Sequence, residues 1–281
     1  MALKSGYMGL GVIDGLKIRV SEFSVNVKQE VEFYDHIIGL RDSLPSGLDT
    51  KGDDGKLNVQ KTFWRPGVKI CTGNVSFPAT AKNLQKAFDL VKTGDDFELK
   101  FTYACNDVKR VFKFCKVSSF NFSVTAGDHA TIQLGIMARE MTEGTGSYRW
   151  TSPEKLLTWD EVGITSISTH KIQMFSFVVN NPCLPIYTAG TNSSNDLFPK
   201  KIRIGMQTVT GSIVYYIKGI SYNDLDASTG VNTIDIKISD KCSVSFNESL
   251  CVIYKPIERA ANIGALLHTL PFVGVGKALG A

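Results

Sequence analysis

Histidine is scarce in this 281-residue chain, and the four present (His36, His129, His170 and His268) lie far apart, with no HExxH or HxH setting. A zinc site would have to be assembled by folding alone. Cysteine is thin and unpatterned too. The six residues (Cys71, Cys105, Cys115, Cys183, Cys242 and Cys251) show no CxxC spacing and read as reduced core or strand residues. There is no GxSxG elbow, no GxxxxGKS phosphate loop and no EF-hand spacing. GLGVIDG near the start lacks the preceding strand and following helix that a dinucleotide site requires. The adjacent carboxylates Asp53-Asp54 and Asp95-Asp96 fall in glycine-containing loops, where exposed acids are common. The set of groups an enzyme needs is missing, and no cofactor or metal is expected.

Charge of one sign is lacking as well. The net charge of +4 comes from 31 basic and 27 acidic residues, dispersed without a polybasic arm or acidic tail, whereas a sequence-specific nucleic-acid binder is usually more basic. The first residues hold no apolar run of signal-peptide length, so export by that route is not expected. The apolar stretch AANIGALLHTLPFVGVGKALGA carries four glycines, a proline, a histidine and a lysine, which interrupt any membrane-spanning helix. It is expected to pack on the body or on a neighbouring subunit.

What is present is a statement made twice. GVIDGLKIRVSEFSV from Gly11 lies over GITSISTHKIQMFSF from Gly163 without a gap, pairing Val12 with Ile164, Phe23 with Phe175 and Val25 with Phe177. FELKF (97–101) answers to IDIKI (234–238), and residues 116–137 lie over 247–268 for 22 positions. A period of about 150 residues is far longer than the 20 to 50 of solenoid repeats and is the size of a domain. The expected organisation is a first β domain over 1–145, a linker over 146–162 and a second β domain over 163–281.

Period-two alternation dominates both halves. In SSFNFSV, Phe120, Phe122 and Val124 alternate with Ser119, Asn121 and Ser123; in ATIQLGIM, Ile132, Leu134 and Ile136 alternate with Thr131, Gln133 and Gly135. These are half-buried antiparallel strands, joined through TAGDH as a hairpin. The second half replaces that turn with KPIERAAN. VKICTGNVSFP and IGMQTVTGSIVYYI read as equivalent strands, bent or bulged at the glycine. Only PATAKNLQKAFDLVKTGDD has a helical stripe, with Leu84, Ala87, Phe88 and Val91 on one face, a Thr80 cap and a stop at Gly94. Its counterpart, GISYNDLDASTGVN, lacks that stripe. The fold class is therefore mainly β, with antiparallel sheets in sandwich or barrel-like domains and little helix.

The order of pieces is a long opening strand (EFSVNV; MFSFVV), a polar loop, a proline-containing segment (WRPGVKI; FPKKIRI), a TG strand (TGNVSF; TGSIVYY), a helix or short loop, and closing strands ending in VSSFNFSVTAGDHATIQLGI. This order resembles the tail tube proteins of tailed bacteriophages, whose fold is shared by type VI secretion tubes and by tube-like domains of baseplate hubs. The resemblance covers about residues 11–140 and 163–270. Its most specific parts are the SFNFSVTAGDHATIQLGI hairpin and the PKKIRIGMQTVTGSI run. A typical single-domain tube subunit has one copy where this chain has two.

The resemblance implies a structural virion protein, assembled in the host cytoplasm, that stacks in rings of six tube domains around a lumen for DNA. Three chains would supply six domains; six chains would supply twelve. Sheath, baseplate and tape-measure proteins are the implied partners, with DNA in non-specific transit and no membrane. Expected lumen-facing positions are Glu98, Lys100, Ser119, Asn121, Ser123, Thr131, Gln133, Asp235 and Lys237, the alternative being solvent or a neighbouring layer. The polar loop 40–58, with Arg41, Asp42, Asp49, Lys51, Asp53, Asp54 and Lys56, is the expected contact between stacked rings. Rival readings are a baseplate hub or tube initiator with two tube domains, and a non-catalytic β-sandwich binding protein.

Overall fold

Alternating apolar and polar residues form strands because each then buries one face and keeps its backbone hydrogen bonds in a ladder. The computed structural model describes residues 9–33, 64–103, 108–145, 154–164, 171–188, 197–216, 234–239, 242–246, 251–253, 257–260, 266–275 and 279–280. Loop 40–58 and the counterpart of the helix in the second half lie outside these residues. The first half holds β1 (Gly9–Ile13), β2 (Leu16–Val20), β3 (Glu22–Phe33), β4 (Trp64–Pro78), α1 (Ala81–Thr93), β5 (Phe97–Tyr103), β6 (Val108–Thr125), β7 (Thr131–Ala138) and β8 (Glu140–Thr145). The second holds β9 (Gly163–Ile164), β10 (Lys171–Asn180), β11 (Cys183–Ile186), β12 (Lys201–Ile204), β13 (Thr208–Tyr216), β14 (Ile234–Ser239), β15 (Cys242–Phe246), β16 (Cys251–Ile253), β17 (Ile257–Ala260), β18 (Leu266–Val275) and β19 (Leu279–Gly280). The protein is mainly β, its strand pairs are antiparallel, and α1 is the one α-helix among the described residues.

One long sheet runs β3-β4-β7-β6-β10-β13-β18, with β16 and β17 both on the far side of β18. The pairing of β6 with β10 (Phe122 opposite Phe177, Phe120 opposite Val179) carries this sheet from the first half into the second without a break. A second layer, β8-β6-β5-β1-β2, shares β6. Residues Val108–Cys115 of that strand pair with β5 or β8, whereas Lys116–Thr125 pair with β7 or β10. The strand changes layers near Phe114, whose φ of 52° lies in the left-handed region that a β-strand residue avoids. Arg139 stacks its guanidinium over the Phe114 ring, 4.4 Å from the centroid.

The inner faces of the two layers meet in one apolar core. Phe23 of the long sheet stacks on Phe101 of the second layer at 3.9 Å between ring centroids. Helix α1 closes the core over both halves at once, because Phe88 lies 5.0 Å from Phe120 and 6.0 Å from Phe177. The helix begins where Thr80 Oγ1 accepts from the Asn83 backbone N–H while the Asn83 side chain accepts from the Thr80 N–H. It ends at Gly94, whose φ of 64° only glycine adopts freely. Smaller sheets are the β11-β12 hairpin and β19-β15-β14-β9, in which β9 pairs with β14 as β1 pairs with β5.

The pairing registers of the two halves coincide. On β4, Val75, Asn74 and Gly73 face Phe23, Ser24 and Val25; on β13, Ile213, Ser212 and Gly211 face Phe175, Ser176 and Phe177. The next strand repeats as well, with Ile136 opposite Gly73 and Phe272 opposite Gly211. The closing strand follows: Val117 and Asn121 face Ile136 and Gln133, as Ile253 and Ile257 face Phe272 and Thr269.

These registers correct two sequence expectations. Laying residues 116–137 over 247–268 is five positions out, because the pairing sets Asn121 on Ile257, inside the KPIERAAN segment expected to be a turn. The closing strand there is β16 followed by β17, both paired with β18. Nor is either TG strand bulged at its glycine, since register runs unbroken through Gly73 and Gly211. Those glycines serve close approach. A Cβ on Gly73 would stand 2.6 Å from the Ser24 carbonyl oxygen, and one on Gly211 would stand 2.1 Å from the Phe272 ring.

Candidate functional site

The long sheet has two chemically opposed faces. Its inner face is the aromatic core; its outer face carries what alternates with that core. From β4 across to β13, one row of outer positions reads Asn74, Gly135, Ser119, Asn180 and Thr208. The next reads Ser76, Gln133, Asn121, Val178 and Thr210, and a third reads Thr131, Ser123, Ser176 and Ser212. No aspartate, glutamate, lysine or arginine occurs in these three rows. On the edge strand β3, Ser24 continues the first row, Glu22 opposite Ser76 ends the second on a carboxylate, and Asn26 and Lys28 follow along the same face.

The face is built mostly of small hydroxyl and amide groups. Ser176 and Ser212 place their hydroxyl oxygens 3.2 Å apart across the β10-β13 pair. Gly135 is a floor in the middle of the face: a Cβ there would meet Ser119 Oγ at 2.3 Å and Ser118 Oγ at 2.9 Å. At the margin, buried Asn181 donates from Nδ2 to the Val117 carbonyl at 3.2 Å and accepts from Gln207 Nε2 at 2.8 Å. These bonds tie the exit of β10 to β6 where the two halves join.

Five of the sequence-selected residues, Ser119, Asn121, Ser123, Thr131 and Gln133, are thus brought together on one surface. Glu98 and Lys100 are placed elsewhere. They alternate on β5 with buried Phe97, Leu99 and Phe101, and Phe101 meets the inner face of the long sheet through Phe23. The pair, joined as an ion pair, therefore stands on the opposite outside of the sandwich. That far face carries charges interleaved with apolar residues: Lys17 and Arg19 stand opposite Val12 and Leu10, Lys100 opposite Val12 and Val111, and Lys113 opposite Glu140. Asp235 and Lys237 lie on β14, opposite Ser245 and Ser243, away from the long sheet. Arg41, Asp42, Asp49, Lys51, Asp53, Asp54 and Lys56 lie outside the described residues.

Sequence reasoning passed over Asn74, Ser76, Ser176, Asn180, Thr210 and Ser212, which complete the face. The signal was the same alternation: Ser176 sits between Phe175 and Phe177, and Ser76 between Val75 and Phe77, all four buried. What was missing was the strand order that lays these rows side by side.

The remaining chemistry is quiet. Burial pushes the Cys71 and Cys183 thiols up to about 11 and Cys115 higher still, so all three stay protonated and poorly nucleophilic at neutral pH. Asp96 is held 2.8 Å from Lys116 at the end of the helix, and His129 sits half-exposed in the β6-β7 turn beside Asp128. Among the described residues no cluster of three metal-ligating side chains occurs, and no helix is long and apolar enough to cross a membrane.

No curated protein matches the chain. A family model described as phage tail tube protein matches residues 60–246, from the segment leading into β4 through β15 and so across both halves. That match spans well over half of the 281 residues, and with the mainly β fold it identifies the chain as a member of the phage tail tube protein family, a structural component of the virion.

Proposed function

We propose that the protein polymerises as stacked rings into the hollow tail tube through which phage DNA is delivered, with the uncharged outer face of the long sheet turned to the lumen. The observation that carries this reading is the absence of charge from three adjacent rows of that face between β4 and β13, with charged residues at its two edge strands, Glu22 and Lys28 on β3 and Arg259 on β17. A wall that neutralised phosphates would bind DNA with steep salt dependence and hold it in transit; hydroxyls and amides neither pair with phosphates as cations do nor repel them as carboxylates do. Ser119, Asn121, Ser123, Thr131 and Gln133 then line the bore, while Glu98 and Lys100 belong to the outside of the wall.

The chain is read as two tandem tube domains derived by duplication, supported by the coincident registers of β3-β4-β7-β6 and β10-β13-β18-β16/β17. Each chain then supplies eight strand positions to the wall. At about 4.8 Å per strand and the usual tilt of closed barrels, three chains put facing backbones about 50 Å apart, and six chains about 100 Å. A duplex about 20 Å across favours the three-chain ring, with clearance for water and ions. Closure also removes the sheet edges that would otherwise invite aggregation.

Negative-stain electron microscopy of the purified protein across a concentration series, with mass photometry of the smallest assembly, tests this. Hollow stacked rings with a three-chain repeat are expected; a persistent monomer at high concentration would overturn the reading. Loop 40–58, with Arg41, Asp42, Asp49, Lys51, Asp53, Asp54 and Lys56, is proposed as the contact between stacked rings, because about 3.3 Å of extended chain per residue lets it reach the next layer. Deleting it should leave folded subunits and single rings without long tubes, and tubes of normal length from the deletion variant would remove the loop from that role.

A further inference from the structure

We infer that neighbouring chains in the ring are joined by an antiparallel pairing of β3 with β17 that copies the internal β6-β10 junction, with Phe23 opposite Ala260, Ser24 opposite Arg259, Val25 opposite Glu258 and Asn26 opposite Ile257. The inference rests on the tube reading and adds the residue-level seam between chains, which that reading leaves open.

The long sheet is built as closing strand against opening strand at its centre. β6 is the closing strand of the first half and β10 the opening strand of the second, paired with Val124 opposite Phe175 and Phe122 opposite Phe177. Both strands have counterparts. The opening strand recurs 152 positions apart, as from Phe23 to Phe175, with the same partners on the following strand. The closing strand recurs 136 positions apart, as from Asn121 to Ile257, again with the same partners. Among the described residues, β3 pairs with β4 alone and β17 with β18 alone. Over the described residues the sheet therefore ends in an opening strand on one side and a closing strand on the other.

Moving the β6-β10 register onto these two edges gives the pairs stated above. Strand directions agree, because alternation through antiparallel neighbours leaves β17 running opposite to β3 when the next chain is set beside it. The contact is head-to-tail, so it generates a ring or an open helix. If each seam turns the sheet as the internal one does, the ring closes with the two kinds of junction alternating. A long edge strand such as β3, twelve residues with Val27 exposed, is what such an assembly must cover.

Directly opposed residues of an antiparallel pair have Cα atoms about 4.5 to 5.5 Å apart, inside the range a disulfide spans. The test is a chain carrying Ser24→Cys and Arg259→Cys, assembled, oxidised with copper phenanthroline and run without reductant. A second pair in the same register, Asn26→Cys with Ile257→Cys, guards against a variant that folds poorly. Glu22→Cys with Ile257→Cys is four residues out of register, about 13 Å along the strand, and serves as the control with the single variants. The expected result is covalent oligomers ending in one closed species from either matched pair, at least tenfold more than from the control. Rings visible by electron microscopy without such linkage would overturn the seam and leave the tube reading standing. Linked chains without rings would keep the seam and overturn the tube.

Discussion

Gly211 and Gly135 both sit in the middle of a strand of the long sheet, yet they face different surroundings. The missing Cβ of Gly211 is occupied by Phe272, a ring with 1% of its surface exposed and packed in the core. That ring cannot retreat without displacing its neighbours. At Gly135 the crowding atoms are the hydroxyls of Ser119 and Ser118, which turn away about one bond. Gly211→Ala is expected to destabilise the subunit by about 1 to 3 kcal/mol through overpacking, and Gly135→Ala by less than about 1 kcal/mol. Urea midpoints at unchanged m-value, measured below the assembly concentration, check the order. Equal losses would mean that the outer face is as tightly packed as the core. The glycines themselves stand out in the sequence. Their role does not, because each is defined by a residue on a partner strand: a Phe 61 positions away for Gly211 and a Ser 16 away for Gly135.

At the scale of elements, α1 is the piece whose local chemistry and tertiary role coincide. Thr80 Oγ1 accepts from the Asn83 N–H at 3.3 Å and donates to Glu154 at 2.9 Å, so one hydroxyl caps the helix and ties it to the segment that follows β8. Thr80→Ala should cost about 1 kcal/mol or somewhat more, with Thr80→Ser recovering most of it. Phe88→Ala, which removes the ring against Phe120 and Phe177, should cost about 3 to 5 kcal/mol. Thermal unfolding of the three variants gives the comparison; a Thr80→Ala subunit as unstable as Phe88→Ala would place the cap, not the packing, at the centre of the fold. This helix was fully legible in the sequence because stripe, cap and stop are local signals. Strands β4, β6, β7, β10 and β13 were legible for the same reason, as was the polar character of Ser119, Asn121 and Ser123, whereas β1, β8 and β11 lack that alternation and did not read as strands. What alternation leaves undetermined is which faces share a side. Glu98 and Lys100 obey the same period as Ser119 and Asn121, but the Phe23-Phe101 stack turns their strand to the other side of the sandwich. The closing strand of the second half was misread for a related reason: without strong alternation over 255–260, only pairing with β18 fixes its register.

For the whole molecule, the division of charge between its two outer faces is the property that follows from neither residues nor elements alone. The far face holds Lys17, Arg19, Glu98, Lys100, Lys113 and Glu140, while the three rows of the long sheet hold none between β4 and β13. With a net charge of only +4, this segregation is spatial rather than compositional. If the neutral face lines the bore, adding cations to it changes transport without changing assembly. Ser119, Asn121 and Gln133 neighbour one another on β6 and β7, with Asn121 opposite Gln133. A triple variant with lysine at these positions should still form tubes, since lysine stems lie along a wall and keep their ammonium groups in water. Its tubes should retain short duplex DNA in low salt and release it steeply as salt rises, the logarithm of the affinity falling with a slope of about −0.9 for each phosphate neutralised. Wild-type tubes should retain little at any salt concentration. The same three lysines on the far face, in place of Glu98, Thr142 and Glu140, should leave DNA in the bore unaffected. Loss of assembly in the inner-face variant, with assembly intact in the outer one, would instead mark the uncharged face as a contact between subunits and turn the charged face toward the lumen.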